Sequence, residues 1–427
     1  MSSLLLILLS WQAILSYGHP QHTGVRKVKT GEDPGEPLFL TPLIEKGDIK
    51  KARHLARVNL NDSLPIESYT GFFTVNKAHD SNQFFWYFPS MFPDKDQAPV
   101  LVWLQGGPGG SSLFGLFCEN GPIAEENGQF VPRQYHWALN HHVIYIDNPV
   151  GSGFSFTNDT KGYCTDETQV GEQLYSTITQ FFQLFPELQK NDFFITGESY
   201  AGKYVPAFAH TIHKKNSNAK TKINLKGLII GGAYINPESQ NKFRLVSDDN
   251  SNYIKLGKCD PDQEGGDTFI PVLTENEIRK AIHVGALPYS EFNNTVYNYL
   301  LADIPRSMAP WLSELLDHYS VTLYGGEDDH TVPYAGIVDF LRNHFNFTGA
   351  DEYKSTKRYS WRVNGELAGC VRSARLLKDI FVLKATHYVP ADQPERAWDM
   401  ITRLTYGKGF DKKEICPVEQ ASAFSLS

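Results

Sequence analysis

Short apolar runs alternate with polar or amphipathic stretches from residue 71 onward. Runs at 71–75 and 83–88 predict two strands joined by a polar turn, and 99–104 predicts a buried strand that ends in a glycine loop. Further buried strands are predicted at 143–146, 193–195, 228–230, 321–324 and 381–383, with a clear amphipathic helix at 172–184. Apolar strands of this length separated by helices require a mainly parallel sheet covered on both faces, an α/β architecture. The alternation fails between Asn241 and Asp267, where the chain turns polar through Asp248-Asp249-Asn250-Ser251-Asn252 and Gln263-Glu264-Gly265-Gly266-Asp267. This stretch reads as an inserted or excised surface region.

The ends and the charge balance narrow the setting. Residues 1–18 carry the apolar run Leu4 to Leu9, too short to span a bilayer, and are expected to be a cleaved secretion signal. No later segment is apolar enough to cross a membrane. Residues 19–35 are polar and punctuated by Gly and Pro, as in a flexible leader or propeptide-like segment, so the folded domain is expected over 36–427. A formal net charge of −8 supplies no basic field for nucleic acid or an anionic membrane. Four acceptor triplets for N-glycosylation, at Asn61, Asn158, Asn293 and Asn346, agree with a secretory route. The five cysteines, Cys118, Cys164, Cys259, Cys370 and Cys416, leave at least one free or paired with another molecule, and their spacing does not give the connectivity. Nothing in their spacing suggests zinc, and no metal or cofactor is expected.

Candidate chemistry centres on Gly197-Glu198-Ser199-Tyr200-Ala201, which follows the run at 193–195 and precedes a helix-compatible stretch. Small residues on each side allow a strained strand-to-helix corner that exposes the serine hydroxyl and aims the next amide N–H at a developing oxyanion. The pattern is G-x-S-x-A rather than G-x-S-x-G, and alone it decides nothing. An activated serine also needs a base and an orienting carboxylate, each on a loop after a strand. The chain supplies them in order: an acidic loop, Glu327-Asp328-Asp329, after 321–324, and His387 after 381–383. Upstream, Gln105-Gly106-Gly107-Pro108-Gly109-Gly110 offers bare backbone for an oxyanion and lacks the spacing of phosphate-binding loops.

Together, W-L-Q-G-G-P-G-G-S-S at 103–112, I-D-N-P-V-G-S-G-F-S-F at 146–156, G-E-S-Y-A-G-K-Y-V-P at 197–206 and H-Y-V-P-A-D-Q-P at 387–394 resemble the serine carboxypeptidases, peptidase family S10, and most of all their vitellogenic-like branch. The resemblance covers about residues 37–410. It implies an α/β-hydrolase fold and a secreted or lysosomal exopeptidase that acts on peptide C-termini through an acyl-enzyme; a glutamate beside the substrate carboxylate is favourable only with a shared proton, so binding is expected to be tightest in mild acid. It also implies Ser199 as nucleophile, Asp329 as orienting acid in the pattern G-x-x-D-x-x-V, and His387 as base. Gly107 and Tyr200 would donate to the oxyanion, and Gln105 with Glu198 would hold the substrate carboxylate. Three departures stand out. Gln105 replaces a more usual asparagine, Gly110 stands where many members have cysteine, and Thr386 replaces a glycine, which threatens to crowd the imidazole. The cap insertion, about 237–270, is shorter than is usual and is expected to leave Cys259 unpartnered and the cleft open. An esterase or acyltransferase on the same triad, and a binding protein that has lost activity, are the competing readings.

Overall fold

The computed structural model describes residues 33–60, 64–92, 95–220, 222–243, 269–410 and 414–417. The expected signal, most of the leader, Asn61, Cys259 and most of the expected cap lie outside the described residues. An eleven-stranded sheet organises the rest. Its strands are β1 (Tyr69–Asn76), β2 (Ser81–Phe88), β3 (Val100–Leu104), β6 (His142–Ile146), β7 (Phe156–Thr157), β8 (Phe193–Glu198), β9 (Leu225–Gly231), β10 (Ser320–Gly326), β11 (Tyr359–Val363), β12 (Glu366–Ala374) and β13 (Leu377–Val382), while β4 (Ile123–Glu126) and β5 (Gln129–Pro132) form a separate hairpin.

The spatial order is β1-β2-β6-β3-β8-β9-β10-β13-β12-β11, with β7 beside β2. The six central strands from β6 to β13 run parallel, and antiparallel pairs flank them on each side. This is the mainly parallel sheet expected from the apolar runs, in the α/β-hydrolase arrangement that the resemblance implied. Along β3, Val100, Val102 and Leu104 enter the hydrophobic core on one face of the sheet, and Leu101 and Trp103 enter the core on the other. Both faces are therefore covered, which explains why the strand reads as continuous apolar sequence.

Helix α1 (Glu167–Leu184) begins at Asp166, whose side chain accepts from Gln169 N at 2.9 Å, a cap that starts the helix five residues before the amphipathic signal at 172. Its buried Val170, Leu174, Ile178 and Phe181 pack on one face with residues of α2 (Ala201–Asn216). The opposite face carries α4 (Pro394–Thr405), whose Met400 and Ile401 join the second core. Cys370 and Cys416 form a disulfide, Cys118 is also disulfide-bonded, and Cys164 is a free, buried thiol. Among the described residues no helix is long and apolar enough to cross a membrane.

Candidate active site

The loops that leave the C-terminal ends of β3, β8, β9, β10 and β13 converge on one edge of the sheet. Between β8 and α2 the chain turns through two residues, Ser199 and Tyr200. Ser199 adopts φ 63°, a left-handed conformation that costs a non-glycine residue about 1–2 kcal/mol. Its neighbours hold it there: Ser199 N–H donates to Gly231 O at 2.9 Å, and its carbonyl accepts from Gly202 N at 2.9 Å and Tyr234 N at 3.1 Å. A Cβ on Gly202 would stand 2.6 Å from Tyr234 N, so that position admits only glycine. The methyl of Ala201 is fully buried, and the turn accommodates the departure from G-x-S-x-G.

Strands β10 and β13 are parallel neighbours, with Gly326 paired to Val382, so their following loops emerge side by side. Asp329 and His387 meet there, Oδ2 to Nδ1, at 2.8 Å with both side chains buried. Asp329 Oδ1 accepts two further hydrogen bonds, from Thr331 N at 2.9 Å and Val332 N at 2.8 Å, which fixes the carboxylate. The acid facing the imidazole is therefore Asp329; Asp328 instead ties the two loops together, its N–H donating to Ala385 O at 2.9 Å. Thr386 does not displace the imidazole from Asp329, because its hydroxyl turns to Asp392 at 2.6 Å. Gly232 links this pair to the serine corner. A Cβ there would lie 2.7 Å from His387 Cε1 and 3.1 Å from Asp329 Oδ2, and the preceding carbonyl is the one that holds Ser199 N–H. Ser199 Oγ makes no hydrogen bond among the described residues.

The glycine loop lies against the serine corner. A Cβ on Gly106 would come within 2.6 Å of Tyr200 N and 2.8 Å of Ser199 Cβ. Gly107 has φ 124°, which L side chains rarely adopt. Asp147 anchors the loop from below: Oδ1 accepts from Ser111 Oγ at 2.6 Å and Ser112 N at 3.0 Å, and Oδ2 accepts from Phe154 N at 2.9 Å. A Cβ on Gly153 would meet Asp147 Oδ2 at 1.9 Å. The motif at 146–156 thus acts as a buried bracket for the glycine loop.

Gln105 and Glu198 are brought together, Nε2 donating to Oε1 at 3.1 Å, while Gln105 Oε1 accepts from Trp103 Nε1 at 2.9 Å. A third residue, Glu119, joins them and escaped the sequence reading. It sits in a fully buried π-helical turn, Gly115–Asn120, whose local sequence carries no signal of a functional acid. Burial and then the Glu119 charge hold the Glu198 carboxyl well above the ordinary range, and burial pushes Glu119 up to about 7. Neither Glu119 oxygen, nor Glu198 Oε2, has a hydrogen-bond partner among the described residues. Two neighbouring buried acids of this kind retain a proton in mild acid, because both charges at once are costly.

A sequence model of the serine carboxypeptidase family matches residues 59–263 and 247–407. The chain is 41% identical to the venom serine carboxypeptidase of Apis mellifera, over 89% of this chain and 93% of that protein. It is 43% identical to the vitellogenic carboxypeptidase of Aedes aegypti, over 88% and 91% of the two chains. The human probable serine carboxypeptidase CPVL is 40% identical over 89% and 91%. In fold, the chain is similar to the crystal structure of the prohormone-processing carboxypeptidase Kex1 from Saccharomyces cerevisiae, with a TM-score of 0.71 at 20% identity, covering 83% of this chain and 96% of that one. The chain belongs to the serine carboxypeptidase family, and it is a hydrolase of that type.

Proposed function

We propose that the protein releases single residues from free peptide C-termini through an acyl-enzyme formed on Ser199. The observation that carries this reading is the buried Asp329–His387 bond set beside a serine held at φ 63°. In the first step Ser199 Oγ attacks the scissile carbonyl while His387 Nε2 takes its proton, and Asp329 stabilises the imidazolium through Nδ1. The N–H groups of Gly107 and Tyr200 receive the oxyanion, and one such donor is worth about 10²–10³ in rate. His387 then protonates the departing amine, the C–N bond breaks, and water repeats the sequence on the ester to free the acid.

Exopeptidase selectivity is assigned to Gln105, Glu198 and the newly found Glu119. A protonated Glu198 can donate to the substrate carboxylate, whereas an ionised one repels it. Since both acids are shifted upward, peptide binding is expected to weaken as the pH rises through neutrality. The test compares a blocked dipeptide acid with its C-terminal amide, in the wild type and in Glu198→Gln. The wild type is expected to prefer the acid strongly, with a KM that climbs from mild acid to neutral pH; in Glu198→Gln the climb flattens. Equal turnover of acid and amide would overturn the exopeptidase assignment in favour of an esterase, whose substrate has no carboxylate to grip.

The secretory setting is proposed from the signal-like start and from the relatives' names, venom and vitellogenic. In that setting Asn158 and Asn346, both exposed, are expected to carry glycan. Asn293 is expected to stay bare, because it is half-buried and its Nδ2 donates to Gly151 O at 2.7 Å beside the glycine loop, whereas the exposed Asn158 donates only to the surface carboxylate of Asp80 at 2.6 Å. Peptide mapping after deglycosylation in heavy-oxygen water reads each site separately, and a fully occupied Asn293 would contradict this assignment.

A further inference from the structure

The imidazole of His387 hangs from a loop whose backbone is tied on several sides. On the β10 side, Lys384 N donates to Glu327 Oε2 at 3.0 Å and Asp328 N to Ala385 O at 2.9 Å. Gly326 lets the loop approach so closely that a Cβ there would stand 2.2 Å from both Ala385 O and Thr386 O. From the other side, Gln393 Nε2 donates to Lys384 O at 2.6 Å. The residue immediately before His387 is gripped hardest. Thr386 N and Thr386 Oγ1 both donate to a single oxygen, Asp392 Oδ2, each at 2.6 Å. Asp392 ends the short helix α3 (Val389–Asp392), and its own N–H returns to Tyr388 O at 3.2 Å. Residues 386–392 therefore form a closed ring with His387 on it.

We propose that Asp392 is a positioning residue for His387, acting through Thr386. This rests on His387 being the general base. The amide plane between Thr386 and His387 sets the direction of the histidine Cα–Cβ bond. Its carbonyl side is wedged against Gly326, and on the other side of Thr386 both donors are held by the Asp392 carboxylate. Hydrogen bonds to a carboxylate are stronger than neutral ones, and two short ones to one oxygen leave Thr386 little rotational freedom. Without them, the imidazole keeps its Asp329 bond but can tilt about it, which takes Nε2 out of line for the proton transfer from Ser199 Oγ. A displacement of about 1 Å at a reacting group can cost 10²-fold in rate.

The experiment measures kcat per active site, with sites counted by titration to completion with a fluorophosphonate, for Asp392→Ala, Asp392→Asn and the control His387→Ala. Asp392→Ala is expected to lower kcat per titrated site by about 10- to 100-fold with KM nearly unchanged. Asp392→Asn keeps an acceptor oxygen for both Thr386 donors and is expected to stay within about threefold of the wild type. If Asp392→Ala reduces only the number of titratable sites while each remaining site turns over at the wild-type rate, Asp392 is merely structural and the proposal is wrong. An Asp392→Asn variant as slow as Asp392→Ala would equally overturn it, since charge rather than orientation would then be at stake. Turnover surviving in His387→Ala would instead sink the base assignment.

Discussion

Ser199→Ala is expected to lower turnover of a blocked dipeptide acid by about 10⁵- to 10⁶-fold while leaving the thermal midpoint within a degree or two of the wild type. The loss is large because, in the proposed mechanism, this hydroxyl forms the ester and supplies the proton that His387 takes. The stability is spared for separate reasons. Ser199 Oγ makes no hydrogen bond among the described residues and the side chain is only partly buried, so its removal strands no partner and opens no cavity. Alanine also bears the same strain at φ 63° that serine does, so the backbone cost is unchanged. Activity assays paired with circular-dichroism melting check both halves. Residual turnover above about one per cent would refute the nucleophile assignment.

Asp147→Ala is expected to destabilise the fold by about 3–5 kcal/mol at mildly acidic pH, and to slow turnover as well. The substitution leaves Ser111 Oγ, Ser112 N and Phe154 N without an acceptor inside the protein, at about 1–3 kcal/mol each before relaxation. Burial pushes the Asp147 carboxyl up to about 6 against those same hydrogen bonds. A folded state that keeps a proton the unfolded chain has released loses stability as the pH rises towards that value. The wild type therefore forfeits part of its Asp147 contribution on going to neutral pH, whereas the variant has nothing to forfeit. The destabilisation should shrink at neutral pH, as urea titrations at the two conditions would reveal. A deficit that grows with pH would mean that the bracket works by charge attraction rather than by hydrogen bonding.

Much of the scaffold was legible because most of the central strands are buried on both faces and so carry short, largely apolar runs. β13 shows where that reading fails. Only 381–383 was expected, yet the strand starts at Leu377. Asp379 interrupts the apolar run, although it is fully buried and satisfied by Tyr334 at 2.9 Å and Arg358 at 3.3 Å. The flanking β11 and β12 were missed for a related reason: they mix exposed and buried positions without strict alternation. In the candidate site, Ser199, Asp329 and His387 could be proposed from the sequence because each follows a strand and the glycines around them punctuate the chain. Glu119 could not, since its importance arises from a neighbour 79 positions away in sequence, Glu198, and no local pattern encodes that encounter. Thr386 read as a misfit until its hydroxyl was seen to face Asp392.

The buried thiol of Cys164 has a practical corollary. Only 2% of the residue is exposed, and burial lifts its pKa well above the ordinary cysteine range, so the sulfur is shielded and remains in its unreactive form. A small alkylating reagent can reach it only when the packing around the first turn of α1 opens. Because this cysteine is native, the rate of its alkylation times the breathing of that part of the molecule with no engineered label, and does so under the very conditions used for assay.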